Sequence, residues 1–244
     1  MSLKGKTVLV TGSSRGLGKA IALDFAAKGA KVAINYRASE GEANEVVKEI
    51  KAMGGEVLLV QSNIGIPDQA KNLIDTITQK WGQLDVLVNN AGITSQDRFS
   101  EIPLERWNLI VNVNLNGSAY CAHAVLPQMI ARNSGVIINM SSILATRVQY
   151  SVVYGATKIA LERFTTGLAR ELRRTNIAVS CIKPFFAKTE VVTGFLDGKV
   201  DMTDWEEPEM WGKYCTKIAD ADYQITTGKI FDQALAQSTF GPWK

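Results

Sequence analysis

A chain of 244 residues with 46% hydrophobic and 21% charged residues has enough apolar surface for a packed core and a composition that excludes general disorder. Its 27 basic and 24 acidic residues are interspersed without a basic block, which argues against nucleic acid as the main partner. Three widely spaced cysteines and a single histidine, His123, give little material for a disulfide framework, a zinc cluster or a His-dependent triad, so no metal is expected. His123 lies in an apolar helical stretch and reads as a packed structural residue. No apolar run reaches the roughly 18 residues that span a bilayer, and MSLKGKTVLV leads straight into a strand without a signal-type apolar core. A cytoplasmic protein forming one domain over 1–244 is expected.

In chain order, TVLVTG, KVAINY, EVLLVQS, LDVLVNN, GVIINMS and IAVSCIKP are short runs rich in Val and Ile that end in polar residues or Gly, the pattern of buried parallel strands. GKAIALDFAAKG, EGEANEVVKEIKAMGG and QAKNLIDTITQKWG alternate with the first of them and carry apolar residues at helical spacing. Further helices are expected around Leu115 to Ile130 and Val153 to Arg174. Regular alternation predicts an α/β fold, a doubly wound, Rossmann-type parallel sheet with helices on both faces. After Pro184 the pattern weakens. Residues 185–215 mix acids with Phe, Trp and Met and read as a substrate flap with a helical piece, ahead of a short strand-like ITTGKIF.

TGSSRGLG follows the first strand and opens the first helix. Gly12, Gly16 and Gly18 fall where the chain must turn tightly and approach a phosphate, with Ser14, Arg15 and Leu17 between them. At the end of the second strand, INYRAS supplies Tyr36 and Arg37 where an NAD site would often show an acid for the ribose 2′-OH. No carboxylate follows until Glu40, and Arg37 with Arg15 suits a 2′-phosphate, so NADP(H) is expected in preference to NAD(H). In YGATK, Tyr154 and Lys158 stand four apart on one helix face. An ammonium beside a phenol favours the phenolate, which predicts a Tyr154 pKa drawn from about 10 towards neutrality. An acid/base of that kind near a nucleotide site points to hydride chemistry.

With TGSSRGLG, NNAG, NMSS and YGATK in this order, the chain resembles the short-chain dehydrogenase/reductase family over about residues 3 to 190. KVAINYRASEGEANEVVKEIKAMGGE is similar to NADP-accepting glucose dehydrogenases and 3-oxoacyl-carrier-protein reductases. The resemblance implies that Tyr154 is the proton donor and that Lys158 lowers its pKa and binds the nicotinamide ribose. It also makes Asn114 the residue that holds a water in a proton relay, in preference to Asn112. Asn90, Ala91 and Gly92 would line the adenosine ribose. Asn63 stands where the family places an acid near the adenine, with Ile64 beside it. Pro184 belongs to the segment next to the nicotinamide, although Phe185 replaces the usual glycine, and Thr189 matches the carboxamide contact. NMSS selects Ser142 as the carbonyl-polarising serine, whereas counting back from Tyr154 lands on Ser141. Ser142 is preferred, because a deletion in the following loop disturbs less than a slip in a buried strand.

The resemblance implies an NADP(H)-dependent enzyme that interconverts a ketone and a secondary alcohol. Apolar residues from Ile93 to Phe99, from Ala145 to Val152, and Phe185, Phe186, Phe195, Leu196, Trp205, Met210 and Trp211 suggest a hydrophobic small-molecule substrate. A nucleotide-sensing or scaffold protein without turnover is the alternative, and a methyltransferase would leave the Tyr-Lys pair unexplained. Family helices of this kind pair between subunits, which implies a homotetramer, or failing that a dimer. Arg170, Arg173 and Arg174 could meet an acidic carrier protein, but compensation of the helix dipole explains them more simply.

Overall fold

The computed structural model describes residues 2–147, 151–188 and 205–243. Seven strands form one parallel sheet: β1 (Thr7–Val10), β2 (Lys31–Tyr36), β3 (Val57–Gln61), β4 (Val86–Asn89), β5 (Gly135–Met140), β6 (Ile177–Ile182) and β7 (Ile230–Phe231). Their order is β3-β2-β1-β4-β5-β6-β7. From β1 the chain winds outward through β2 and β3, then returns to β4 and winds the other way. The carboxyl ends of β1 and β4 therefore flank a topological switch point, where the loops part and leave a crevice.

Side-chain alternation along the strands feeds two cores. In β1, Val8 and Val10 join one face while Leu9 joins the other. The first face is covered by α1 (Gly16–Ala27) and α2 (Glu40–Ala52), through Ile21, Phe25, Val46 and Ile50. The second is covered by α3 (Pro67–Trp81), α5 (Gly117–Arg132) and α6 (Val152–Glu171), through Leu73, Ile77, Val125, Met129 and Leu168. This is the doubly wound architecture that the alternating pattern predicts. Among the described residues no helix is long and apolar enough to cross a membrane.

Three expectations change. A helix starting near Leu115 is in fact the second half of a longer one: α4 (Leu104–Val111) runs through a π-helical turn at Asn112–Asn116 into α5. Such one-turn expansions are rare inside α-helices and frequently fall at functional sites. His123 is exposed, because the phase that buries Cys121, Ala122 and Val125 turns position 123 outward. Part of the expected flap belongs to the core. Helix α7 (Pro208–Asp220) packs on α1 and buries Met210, Trp211, Tyr214 and Cys215, so Met210 and Trp211 do not face a substrate.

The cysteines occupy different layers: Cys121 on α5, Cys181 on β6 and Cys215 on α7, all buried with free thiols. Burial pushes the Cys121 and Cys181 thiols up to about 12 and Cys215 well above its ordinary value.

Candidate active site

A cleft of about 590 Å3 lies over the carboxyl ends of the central strands. Its floor at one end is the turn from β1 into α1. Gly12 has φ 62°, and a Cβ there would stand 2.8 Å from the Ala91 Cα. At Gly18 a Cβ would meet the Asn90 Nδ2 and the Gly12 carbonyl, each at 2.5 Å. Both positions admit only glycine, for backbone conformation in the first case and for close approach in the second. Asn90 donates from Nδ2 to the carbonyls of Thr11 (2.8 Å) and Gly12 (3.1 Å), so NNAG clasps the glycine turn. The N–H groups of Asn90 and Ala91 both donate to Thr11 Oγ1 at 3.0 Å.

Ser14, Arg15, Gly16, Leu17, Tyr36, Arg37, Asn63, Ile64, Ala91 and Gly92 also line the cleft. Arg37 is exposed at the end of β2, and Arg15 makes a loose, exposed ion pair with Glu42 at 3.9 Å, a contact worth little in water. Asn63 spends its Oδ1 on the Gly65 N–H at 3.1 Å. Asn35 went unnoticed in the sequence. Buried at the end of β2, it accepts from Gly12 N (3.2 Å) and donates to Ser62 O (3.1 Å), tying the glycine turn to the neighbouring strand. A polar residue between Ile34 and Tyr36 in an apolar run was the available signal.

At the other end of the cleft, Ser142, Tyr154, Lys158 and Pro184 come together. Ser142 follows β5, and its Oγ accepts from Leu144 N at 3.2 Å. Tyr154 is on the first turn of α6, which Ser151 caps by accepting from the Tyr154 N–H. Asn114, buried in the π turn, accepts from Ile93 N (2.8 Å) and donates to Ile93 O (2.9 Å), a peptide-like pairing that leaves its amide committed. Thr189 lies outside the described residues, as do Phe195 and Leu196.

The electrostatics depart from the sequence reading. Burial pushes the Tyr154 phenol up, and the neighbouring Ser142 hydroxyl opposes the rise. Lys158 does not pull the phenol down: its Nζ stands 5.3 Å from the ring centroid and donates to Met140 O at 2.6 Å. Burial lowers Lys158 itself to about 8, with the Cys181 thiol opposing. A dry site disfavours phenolate and ammonium alike, which keeps the phenol protonated and brings the Lys158 amine closer to losing its proton near neutrality.

The two serines differ in environment. Both line the cleft, but Ser141 is buried and donates to Glu162 Oε1 at 2.8 Å, whereas Ser142 is half-buried. Glu162 Oε1 also pairs with Lys183 Nζ at 3.3 Å, both side chains being nearly enclosed. Neither Glu162 nor Lys183 was singled out from sequence. Removing one partner of a buried pair strands the other. Glu162→Ala is therefore expected to lower unfolding stability by about 3 kcal/mol in a denaturant titration, and Glu162→Gln by less. An unchanged midpoint would refute the pairing.

Phe185 and Phe186 leave the sheet after Pro184 and line the cleft with Trp205. The usual glycine of this position would let backbone pass; here an aromatic wall stands instead. Among the described residues no cluster of three His, Cys, Asp or Glu suits a metal ion.

Comparison with known proteins agrees with this geometry. The short chain dehydrogenase family profile matches residues 6–199. A 3-oxoacyl-acyl-carrier-protein reductase of Staphylococcus epidermidis is 38% identical over 197 residues, covering 80% of this chain and 81% of the relative. A protein of the same description from Thermotoga maritima is 37% identical and covers 94% and 96%. The crystal structure of a short chain dehydrogenase from Burkholderia cenocepacia in complex with NADP superposes with a TM-score of 0.85 at 30% identity, over 95% of this chain and 97% of that one. Its motifs, its sheet order and its profile match place this chain in the short chain dehydrogenase family of oxidoreductases.

Proposed function

We propose that the protein is an NADP(H)-dependent reductase that interconverts a ketone and a secondary alcohol, on an apolar substrate. The observation that carries this is the placing of Ser142, Tyr154 and Lys158 at one end of a cleft whose other end is a glycine turn shaped for a pyrophosphate. The cradle that a Cβ at Gly12 or Gly18 would fill, together with exposed Arg37, fits a dinucleotide bearing a 2′-phosphate. Bound there, the cofactor would supply the hydride.

The protein's own residues would handle the oxygen and its proton. Ser142 aims a hydroxyl at the carbonyl oxygen, and Tyr154 donates its phenolic proton to the same atom as charge develops. The phenolate so formed sits beside Lys158, whose lowered pKa puts it within reach of either protonation state near neutrality. Once its neighbour is an anion, Lys158 holds the ammonium form, and the pair resets by taking a proton from solvent. We assign Asn114 to that return path. Since its amide is bound to the Ile93 peptide and to Thr157 Oγ1, it would serve by fixing the Ile93 backbone and α6 against the π turn.

The test is NADPH oxidation by the purified protein against a panel of ketones and 3-oxoacyl thioesters. NADPH binding without turnover on any of them would favour a nucleotide sensor. Arg37→Ala is expected to weaken NADPH at least tenfold and leave NADH unchanged, read by calorimetric titration; equal losses for both would remove Arg37 from the 2′-phosphate. We infer a tetramer, supported by exposed Leu104, Ile130, Val152 and Ile159 on helices α4, α5 and α6. Light scattering at micromolar concentration that returned the mass of one chain would exclude it.

A further inference from the structure

The carboxylate of Glu206 takes no part in the chemistry above, yet it is only 6% exposed. Its described partners are two neutral donors: the Phe185 N–H at 2.7 Å and the Trp211 indole N–H at 2.8 Å, both to Oε2. Burial holds its pKa above the ordinary carboxylate value, the Asp232 charge adds to the rise, and these two hydrogen bonds oppose it. The main chain of the same residue is equally engaged. Glu206 N donates to Phe186 O at 2.9 Å and Lys188 N donates to Glu206 O at 3.0 Å, which makes a parallel bridge with Ala187. One residue thus ties the exit from β6 to the chain entering α7. Beside it, Lys188 Nζ meets Glu207 Oε1 at 2.7 Å.

What this tie positions is the aromatic wall. Phe186 stacks on Trp205 with centroids 5.2 Å apart and planes 25° from parallel. Phe185 stands edge-on to Phe186 at 4.9 Å and 74°, and the Arg147 guanidinium covers its ring at 4.8 Å. All three rings line the cleft that also holds Ser142 and Tyr154. Nearly parallel rings set against a perpendicular one make a corner of faces and edges. A flat ring can stack on one wall while meeting the edge of the other, and a puckered ring of the same carbon count gains less from either contact.

We propose that Glu206 is a positioning residue for a substrate subsite, and that the Phe186–Trp205 corner it holds selects ketones with a flat apolar group beside the carbonyl. The proposal rests on the reductase reading above and names its substrate class. Neutral N–H donors hold the carboxylate in place of a cation, so its loss frees Phe185 without leaving a buried positive charge behind.

Acetophenone and cyclohexyl methyl ketone, equal in carbon number, are the probes, each assayed with NADPH. Because the two differ in intrinsic reactivity, the measured quantity is the change in their kcat/KM ratio between wild type and Trp205→Leu, in which that difference cancels. The ratio is expected to fall about threefold to tenfold in Trp205→Leu and in Phe186→Leu. Glu206→Ala is expected to raise KM for acetophenone about tenfold with NADPH affinity kept within about twofold. Glu206→Gln, which retains an acceptor oxygen, restores most of it. Should Glu206→Ala fail to fold, Glu206→Asp, one methylene short of its donors, is expected to show the same KM shift in smaller measure.

An unmoved ratio, or an unmoved KM in folded Glu206→Ala or Glu206→Asp, overturns the proposal. So does a wild type that reduces other carbonyls and neither probe, which leaves the reductase reading standing. A protein that binds NADPH and reduces no carbonyl removes that reading and this one together.

Discussion

Tyr154→Phe is expected to lower kcat for ketone reduction by about a thousandfold or more while NADPH binding stays within about twofold of wild type. The variant deletes one oxygen and keeps the ring, so the helix cap at Ser151 and the packing around α6 survive. What disappears is the proposed proton donor. The remaining Ser142 hydroxyl can still polarise a carbonyl, which sets a floor above zero, since electrostatic stabilisation and proximity act without it. Single-turnover mixing of enzyme, NADPH and ketone separates the chemical step from release of product. Retained turnover within tenfold of wild type would refute Tyr154 as the acid.

The second large effect has opposite signs in activity and stability. Lys158→Met is expected to reduce turnover about a hundredfold or more, and at the same time to stabilise the fold at neutral pH by about 2–3 kcal/mol. The reason is the buried amine. Its pKa is lowered from 10.5 to about 8 by burial, and that difference corresponds to a cost on the order of 3 kcal/mol for holding the charged form. Loss of the bond from Nζ to Met140 O offsets part of the gain. The sign follows from proton uptake: between about 8 and 10.5 the unfolded chain binds more protons at this site than the folded chain. Wild-type stability from this group therefore rises with pH across that window, and below it the full penalty is present. Denaturant titrations at neutral pH and near pH 10 should show the variant's advantage shrinking as pH rises. A variant less stable than wild type at neutral pH would show that the ammonium is compensated in the folded protein.

The sheet was legible because parallel strands buried on both faces leave unbroken Val and Ile runs, and each of the seven expected segments contains an observed strand. The glycine turn was legible for a similar reason: strand, turn and helix must follow one another at fixed spacing. The pairing of Tyr154 with Lys158 on one face of α6 follows from periodicity alone. Other features depend on partners far along the chain. Met210 and Trp211 looked like a substrate-facing cluster, and only the position of α1 shows that they are core. The Glu162–Lys183 pair joins residues from α6 and the end of β6, and Glu206 finds its donors at Phe185 and Trp211. The π turn carries no composition signature: Asn114 stood out by its resemblance to a relay asparagine, and nothing in NVNLN marks a widened turn. The shift of Tyr154 also escaped the sequence, because two groups four apart say nothing of how dry their surroundings are.

The arrangement of the three thiols turns the molecule into its own stopwatch for opening. With each sulfur enclosed and its ionisation suppressed, a maleimide in the surrounding solution meets almost no thiolate and must wait for a local excursion that admits it. Cys215 samples the layer built on α1 and α7, Cys121 the opposite layer, and Cys181 the sheet between them. The order in which the three are labelled would trace which layer lifts first and whether the sheet yields only when the whole chain does.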